Sequence, residues 1–154
     1  MTWARKVRVA PLPATRQTAD LTLTGNDAGV TERTMTAKSY HDLIREAKTR
    51  VAEVTAVESM RIMQEKPDTV MIDCREPNEA ALGTVAGAIV IPRGLLEQNI
   101  ERHATRDRKI IIYCASGNRS ALAADSLREM GYQDAATMAG GFRAWVEAGG
   151  EVDA

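Results

Sequence analysis

The chain has 154 residues, 44% of them hydrophobic and 27% charged, with 20 basic and 21 acidic side chains giving a net charge of -1. That is one domain with residues to spare, long enough to bury a core without cross-links, and so even a charge balance argues against nucleic acid or an anionic membrane as partner. Two cysteines, Cys74 and Cys114, are too few for a disulfide framework and lack the spacing of a zinc site, so a cytoplasmic, reducing setting with no metal and no other cofactor is expected. No apolar run approaches the length of a bilayer span, and the first residues carry no apolar secretion signal.

In chain order, residues 1–38 hold Pro11, Pro13, many threonines and scattered arginines without sustained periodicity, which predicts a disordered or weakly ordered extension. Arg5, Lys6, Arg8 and Arg16 precede the first acid, Asp20, a composition shared with transit peptides, so organelle targeting is the alternative to a cytoplasmic location. From Ser39 the pattern changes. Tyr40, Leu43, Ile44, Ala47, Val51 and Val54 share one helical face, with Ser39 placed as N-cap and Asp42 at the third helical position, predicting an amphipathic helix ending near Val51, over 39–51. Its stripe packs on the chain itself or on a second copy, packing within the chain being the default. Ala52 to Val54 reads as a short strand, Thr55 and Glu58 as a capping box opening a helix to Glu65, and Pro67 as its end. Thr69 to Asp73 (TVMID) predicts a second strand. Pro77 then suits the first position of a helix to about Leu82, stopped by Gly83. Ala88 to Ile91 predicts a third strand, and Leu95 to Glu101 a helix carrying Leu95, Leu96 and Ile100.

The most informative stretch is Lys109 to Met130, KIIIYCASGNRSALAADSLREM. Ile110, Ile111 and Ile112 are consecutive, apolar and β-branched, as in a strand buried on both faces. Cys114 stands where that strand stops, Ala115-Ser116-Gly117-Asn118 are small or turn-forming, and from Arg119 apolar residues recur at helical spacing until Gly131. A thiol is thereby placed at the carboxyl end of a strand, beneath a helix N-terminus. The thiolate is the nucleophilic form, and a helix N-terminus or nearby cation lowers a thiol pKa from about 8.5 to between roughly 3.5 and 7.5. Arg119 is the candidate cation, and converging loop N–H groups would form an anion cradle. The plain alternative, a buried structural cysteine, fits the small loop, arginine and helix less well. Ala135 to Met138 predicts the last strand, and Gly140-Gly141 opens a final helix, Phe142 to Ala148. Strands alternating with helices predict an α/β fold, a parallel sheet covered on both faces with its site at the strands' carboxyl ends.

Three segments together, IDCREPNEAALGTVAGAIVIPRGLLE (72–97), YCASGNRSA (113–121) and MAGGFRAWVEAGG (138–150), resemble a single-domain rhodanese of the sulfurtransferase family, over roughly Thr55 to Val152. The resemblance implies the rhodanese fold, a central parallel five-stranded sheet with helices on both faces. It makes 39–154 the domain, with an N-terminal helix at 39–51 and a core at 52–152, behind the extension 1–38. It implies Cys114 as the sulfur-carrying nucleophile and Ala115, Ser116, Gly117, Asn118, Arg119 and Ser120 as the loop that binds substrate and persulfide. The Cys114 strand is then central, beside the strand ending at Asp73. Gly83-Thr84-Val85 stands where the family usually has Gly-His-Ile, Ala86 where proline is common, and Asp73-Cys74-Arg75 where Asp-Val-Arg is frequent. Altered hydrogen bonding around the loop is expected, with activity kept.

Loop length separates the chemistry from the related phosphatases, which resemble this family but use a Cys-x5-Arg cradle. Cys114 and Arg119 enclose four residues, a ring better suited to a sulfane sulfur than to a phosphate. The expected reaction has two halves: Cys114 takes sulfur from a small anionic donor such as thiosulfate, or from a persulfide, and passes it to a thiol or cyanide acceptor. A non-enzymatic binding or redox-sensing module of the same fold is the second reading. Asp73 and Arg75 are expected to pair at the pocket rim or behind it, in a structural rather than a catalytic role. Cys74 reads first as a small buried residue and second as a resolving cysteine for Cys114. His41 and His103 are expected to be exposed and outside any ligand cluster, and the sequence does not specify an oligomeric state.

Overall fold

The computed structural model describes residues 36–154. The expected extension and its targeting composition lie outside the described residues, apart from 36–38, which are exposed and carry neither helix nor strand.

Capping boxes open the first two described helices. Ser39 caps α1 (Tyr40–Arg50): its hydroxyl accepts from the Asp42 N–H at 3.2 Å while the Asp42 carboxylate accepts from the Ser39 N–H at 2.9 Å. After β1 (Ala52–Val54), Thr55 and Glu58 repeat the device at the start of α2 (Ala56–Glu65). β2 (Val70–Asp73) follows, then α3 (Pro77–Ala80), shorter than the expected helix to Leu82. The chain turns early there because Arg75 holds the Gly83 carbonyl at 2.7 Å and leaves Leu82 in solvent. β3 (Thr84–Val85) and β4 (Ile89–Val90) come next. In place of one helix over Leu95–Glu101 there is α4 (Leu96–Asn99) between 3-10 turns at Arg93–Leu95 and Ile100–Arg102. Only Leu96 and Ile100 reach the core from this segment, too narrow a stripe to hold a longer α-helix. The remaining elements are β5 (Ile110–Tyr113), α5 (Asn118–Glu129), β6 (Ala135–Met138), α6 (Gly141–Glu147) and β7 (Val152–Asp153).

Five strands form a sheet in the order β1-β6-β5-β2-β4, every neighbouring pair parallel, with β5 at the centre. All four β5 residues are fully buried because helices cover both faces. Ile110 and Ile112 face Leu96, Ala123, Ala124 and Leu127, while Ile111 and Tyr113 face Met71, Met138 and Trp145. Each isoleucine so buried contributes about 1.5–3 kcal/mol. α1 packs within the chain, on α5: Ile44 and Ala47 are buried and Arg50 pairs with Asp125 at 2.5 Å. A separate antiparallel pair joins β3 to β7, which two-residue strands do not announce in sequence.

Candidate active site

β5 delivers Cys114 to the carboxyl edge of the sheet, and the chain then turns sharply into α5. Gly117 makes the turn. It is the residue before α5, its φ is +96°, and a Cβ there would meet the Met138 carbonyl at 3.2 Å and the Gly140 nitrogen at 3.3 Å. Freed to point inward, the Gly117 N–H donates to Cys114 Sγ at 3.1 Å. The Ser120 hydroxyl lies 3.6 Å from the same sulfur and 2.8 Å from Thr137 Oγ1 on β6, so Thr137 can donate to Ser120 while Ser120 donates to sulfur. Ser120 and Thr137 are both fully buried.

A second glycine lets α6 reach the loop. At Gly141 a Cβ would overlap the Cys114 carbonyl and come within 2.7 Å of the Ala115 carbonyl, and without it the Phe142 N–H donates to the Cys114 carbonyl at 2.7 Å. The sulfur therefore sits at the floor of a tight ring. Cys114 is 1% exposed, while Ala115 and Ser116 above it are exposed and Asn118, which opens α5, is half-buried.

The Cys114 thiol is held well below the range of a free thiol. Donation from the Cys74 S–H is the largest influence; burial opposes it, and the Ser120 hydroxyl with the Ser120 and Ser116 N–H groups adds to the lowering. The same contact, reinforced by burial, pushes the Cys74 thiol up. Hydrogen bonds come first here where the sequence put Arg119 first, and the charges of Arg119 and Cys114 still favour each other. That guanidinium is spoken for: its two terminal nitrogens donate to the Glu79 carboxylate on α3 at 2.7 and 2.8 Å. Arg119 in turn holds the Glu79 carboxyl down at about 2.

Asp73 and Arg75 pair at 2.6 Å behind the loop rather than at its rim, 0% and 5% exposed. Tyr113 Oη donates to the Asp73 carboxylate at 2.8 Å and accepts from the Val85 N–H at 2.9 Å. The Arg75 guanidinium lies 4.1 Å over the Phe142 ring, tying this network to the residue that holds the Cys114 carbonyl. Glu79 and Thr137 were not singled out from the sequence, and Gly141 was read there only as the start of the final helix. Glu79 looks like any helix acid, and only the fold brings β6 and α6 against the loop. His41 and His103 are exposed, and among the described residues no three His, Cys, Asp or Glu side chains are grouped to hold a metal. No helix among the described residues is long and apolar enough to cross a membrane.

The family model for the rhodanese-like domain matches residues 56–148. A sulfurtransferase of Allochromatium vinosum is 30% identical over 99 residues, which are 64% of this chain and 92% of that protein. The human thiosulfate:glutathione sulfurtransferase is 31% identical over 90 residues, 50% of this chain and 78% of its own length. A solved Rhodopseudomonas palustris structure, described as a protein of unknown function and possible tyrosine phosphatase, aligns with a TM-score of 0.69 at 31% identity, over 77% of this chain and 96% of that one.

Proposed function

The chain belongs to the rhodanese-like family, and from that premise we propose that it transfers sulfane sulfur from thiosulfate or a persulfide donor to a thiol or cyanide acceptor through a Cys114 persulfide. The observation that carries the reading is the convergence of the Gly117 N–H and the Ser120 hydroxyl on a sulfur whose thiol is held down by its neighbours. In the first half, the Cys114 thiolate attacks the outer sulfur of thiosulfate and sulfite leaves with the electron pair. In the second, an acceptor thiolate or cyanide attacks the outer sulfur of the persulfide. Cys114 then leaves as the stabilised thiolate, a good leaving group because its pKa is low. The loop N–H groups hold the anionic sulfur in both halves. Asp73 and Arg75 fix the wall behind it, and the chemistry suits a reducing compartment.

The R. palustris description raises phosphoester hydrolysis as a second reading. Against it, Cys114 and Arg119 enclose four residues, and both terminal Arg119 nitrogens are engaged by Glu79 instead of being open to phosphate oxygens. Thiosulfate treatment is expected to add one sulfur atom to the Cys74→Ser protein, and cyanide to release it as thiocyanate, with neither event in Cys114→Ser. No phosphate release from an aryl ester is expected. A chain that takes up no sulfur from thiosulfate or from a small-molecule persulfide would leave the binding-module reading in its place.

A further inference from the structure

The transfer chemistry uses one thiol, and the structure sets a second beside it. β2 and β5 run parallel with Asp73 opposite Tyr113, and the Cys74 N–H continues the ladder to the Tyr113 carbonyl at 2.9 Å. Cys74 and Cys114 are the next residues on their strands, and both join the buried cluster on the Ile72 and Ile112 face. Neighbouring strands lie about 4.8 Å apart, inside the window of roughly 4.4–6.8 Å between Cα atoms that a disulfide requires. Both residues stand just past the strand ends, with the Cys74 carbonyl accepting from the Arg93 N–H at 3.0 Å and the Cys114 carbonyl from the Phe142 N–H at 2.7 Å. Cys74 is fully buried in the same core cluster as Cys114, whereas the loop above Cys114 opens to solvent at Ala115 and Ser116.

We infer that Cys74 resolves the Cys114 persulfide, releasing hydrosulfide and leaving a Cys74–Cys114 disulfide, so that the protein is a sulfide-producing enzyme as well as a sulfur carrier. The inference rests on the persulfide of the proposed function. In the step, the Cys74 proton passes to the outer persulfide sulfur and the Cys74 sulfur attacks Cys114 Sγ. The bond between Sγ and the outer sulfur breaks, and the outer sulfur departs with that electron pair as hydrosulfide. The sulfane sulfur is reduced and the two cysteine sulfurs are oxidised, so no external oxidant is needed. A small dithiol reductant returns the enzyme to its dithiol form. The resting protein is protected from the same reaction, because two thiols without a sulfane sulfur have nothing to reduce. External acceptors and Cys74 then compete for one persulfide: acceptors that enter the loop take the outer sulfur, and Cys74 acts when none does.

The test is anaerobic treatment of the full chain with one equivalent of thiosulfate, read by intact mass and by trapping of sulfide. Wild type is expected to end two hydrogens lighter than the reduced protein, with one equivalent of hydrosulfide in solution. Cys74→Ser and Cys74→Ala are expected to keep the added sulfur atom and release no hydrosulfide until a dithiol is supplied. If wild type holds its added sulfur as the two variants do, resolution by Cys74 is overturned while sulfur transfer stands. If neither wild type nor either variant takes up sulfur from thiosulfate or from a small-molecule persulfide, both readings fall.

Discussion

At Cys114 charge and access pull in different directions: the sulfur is ringed by donors that favour its ionised form, yet 1% of the residue meets water. Alkylation rate should follow the thiolate fraction, and since the folded thiol is held down, its midpoint should lie below the free-thiol value of about 8.5. The rate is expected to stay level as pH falls from about 8 through neutrality. Cys74→Ala, which removes the largest lowering influence, should move the midpoint upward. A small methylating disulfide reagent should outpace a bulky aromatic one by at least about tenfold, because only a narrow group reaches the floor of the ring. Gly141→Ala is expected to destabilise the fold by about 1–3 kcal/mol, measured by urea unfolding, and to reduce cyanolysis in the fraction that stays folded, since its Cβ would displace the Cys114 carbonyl. The strand-to-helix turn that carries Cys114 was legible because strand, turn and helix signals are local. Thr137 and the role of Gly141 were not, since their importance comes from contacts across the sheet edge.

Among the elements, α3 has the largest effect for its size. Its four residues supply Glu79, which neutralises the one cation of the loop. Glu79→Gln should release Arg119 toward the solution, lowering KM for the dianion thiosulfate and making that KM rise more steeply with salt. The pH dependence has a definite sign. A carboxyl lowered to about 2 in the fold, against roughly 4.3 when unfolded, stabilises the native state above the unfolded value and loses that contribution as pH falls toward 2. The stability difference between wild type and Glu79→Gln should therefore shrink across that acid window, as acid titrations followed by circular dichroism would show. Pro77 marked where this helix starts; its early end was hidden, because it depends on Arg75 seizing a carbonyl eight residues away. The broken helix around Leu96 escaped notice for a related reason: two apolar residues four apart look the same in a helix of one turn or two.

Across the molecule, the cooperative unit extends beyond the stretch the family model covers. That match starts at residue 56, whereas α1 lies on α5, the helix that follows the Cys114 loop, and β1 forms a sheet edge. Ile44→Ala is expected to lower stability by about 2 kcal/mol, with an unchanged urea m-value and a single transition, while the folded protein keeps its cyanolysis rate. The parallel order, with β5 at its centre, was accessible from alternation and resemblance together. The β3–β7 clasp was not, since two residues on each side offer no pattern to recognise.

The position of α6 has a consequence during synthesis. Cys114 emerges from the ribosome before Gly141 and Phe142, so its carbonyl lacks the Phe142 N–H until α6 is translated. The backbone geometry around the sulfur is thereby expected to be complete only once α6 has docked.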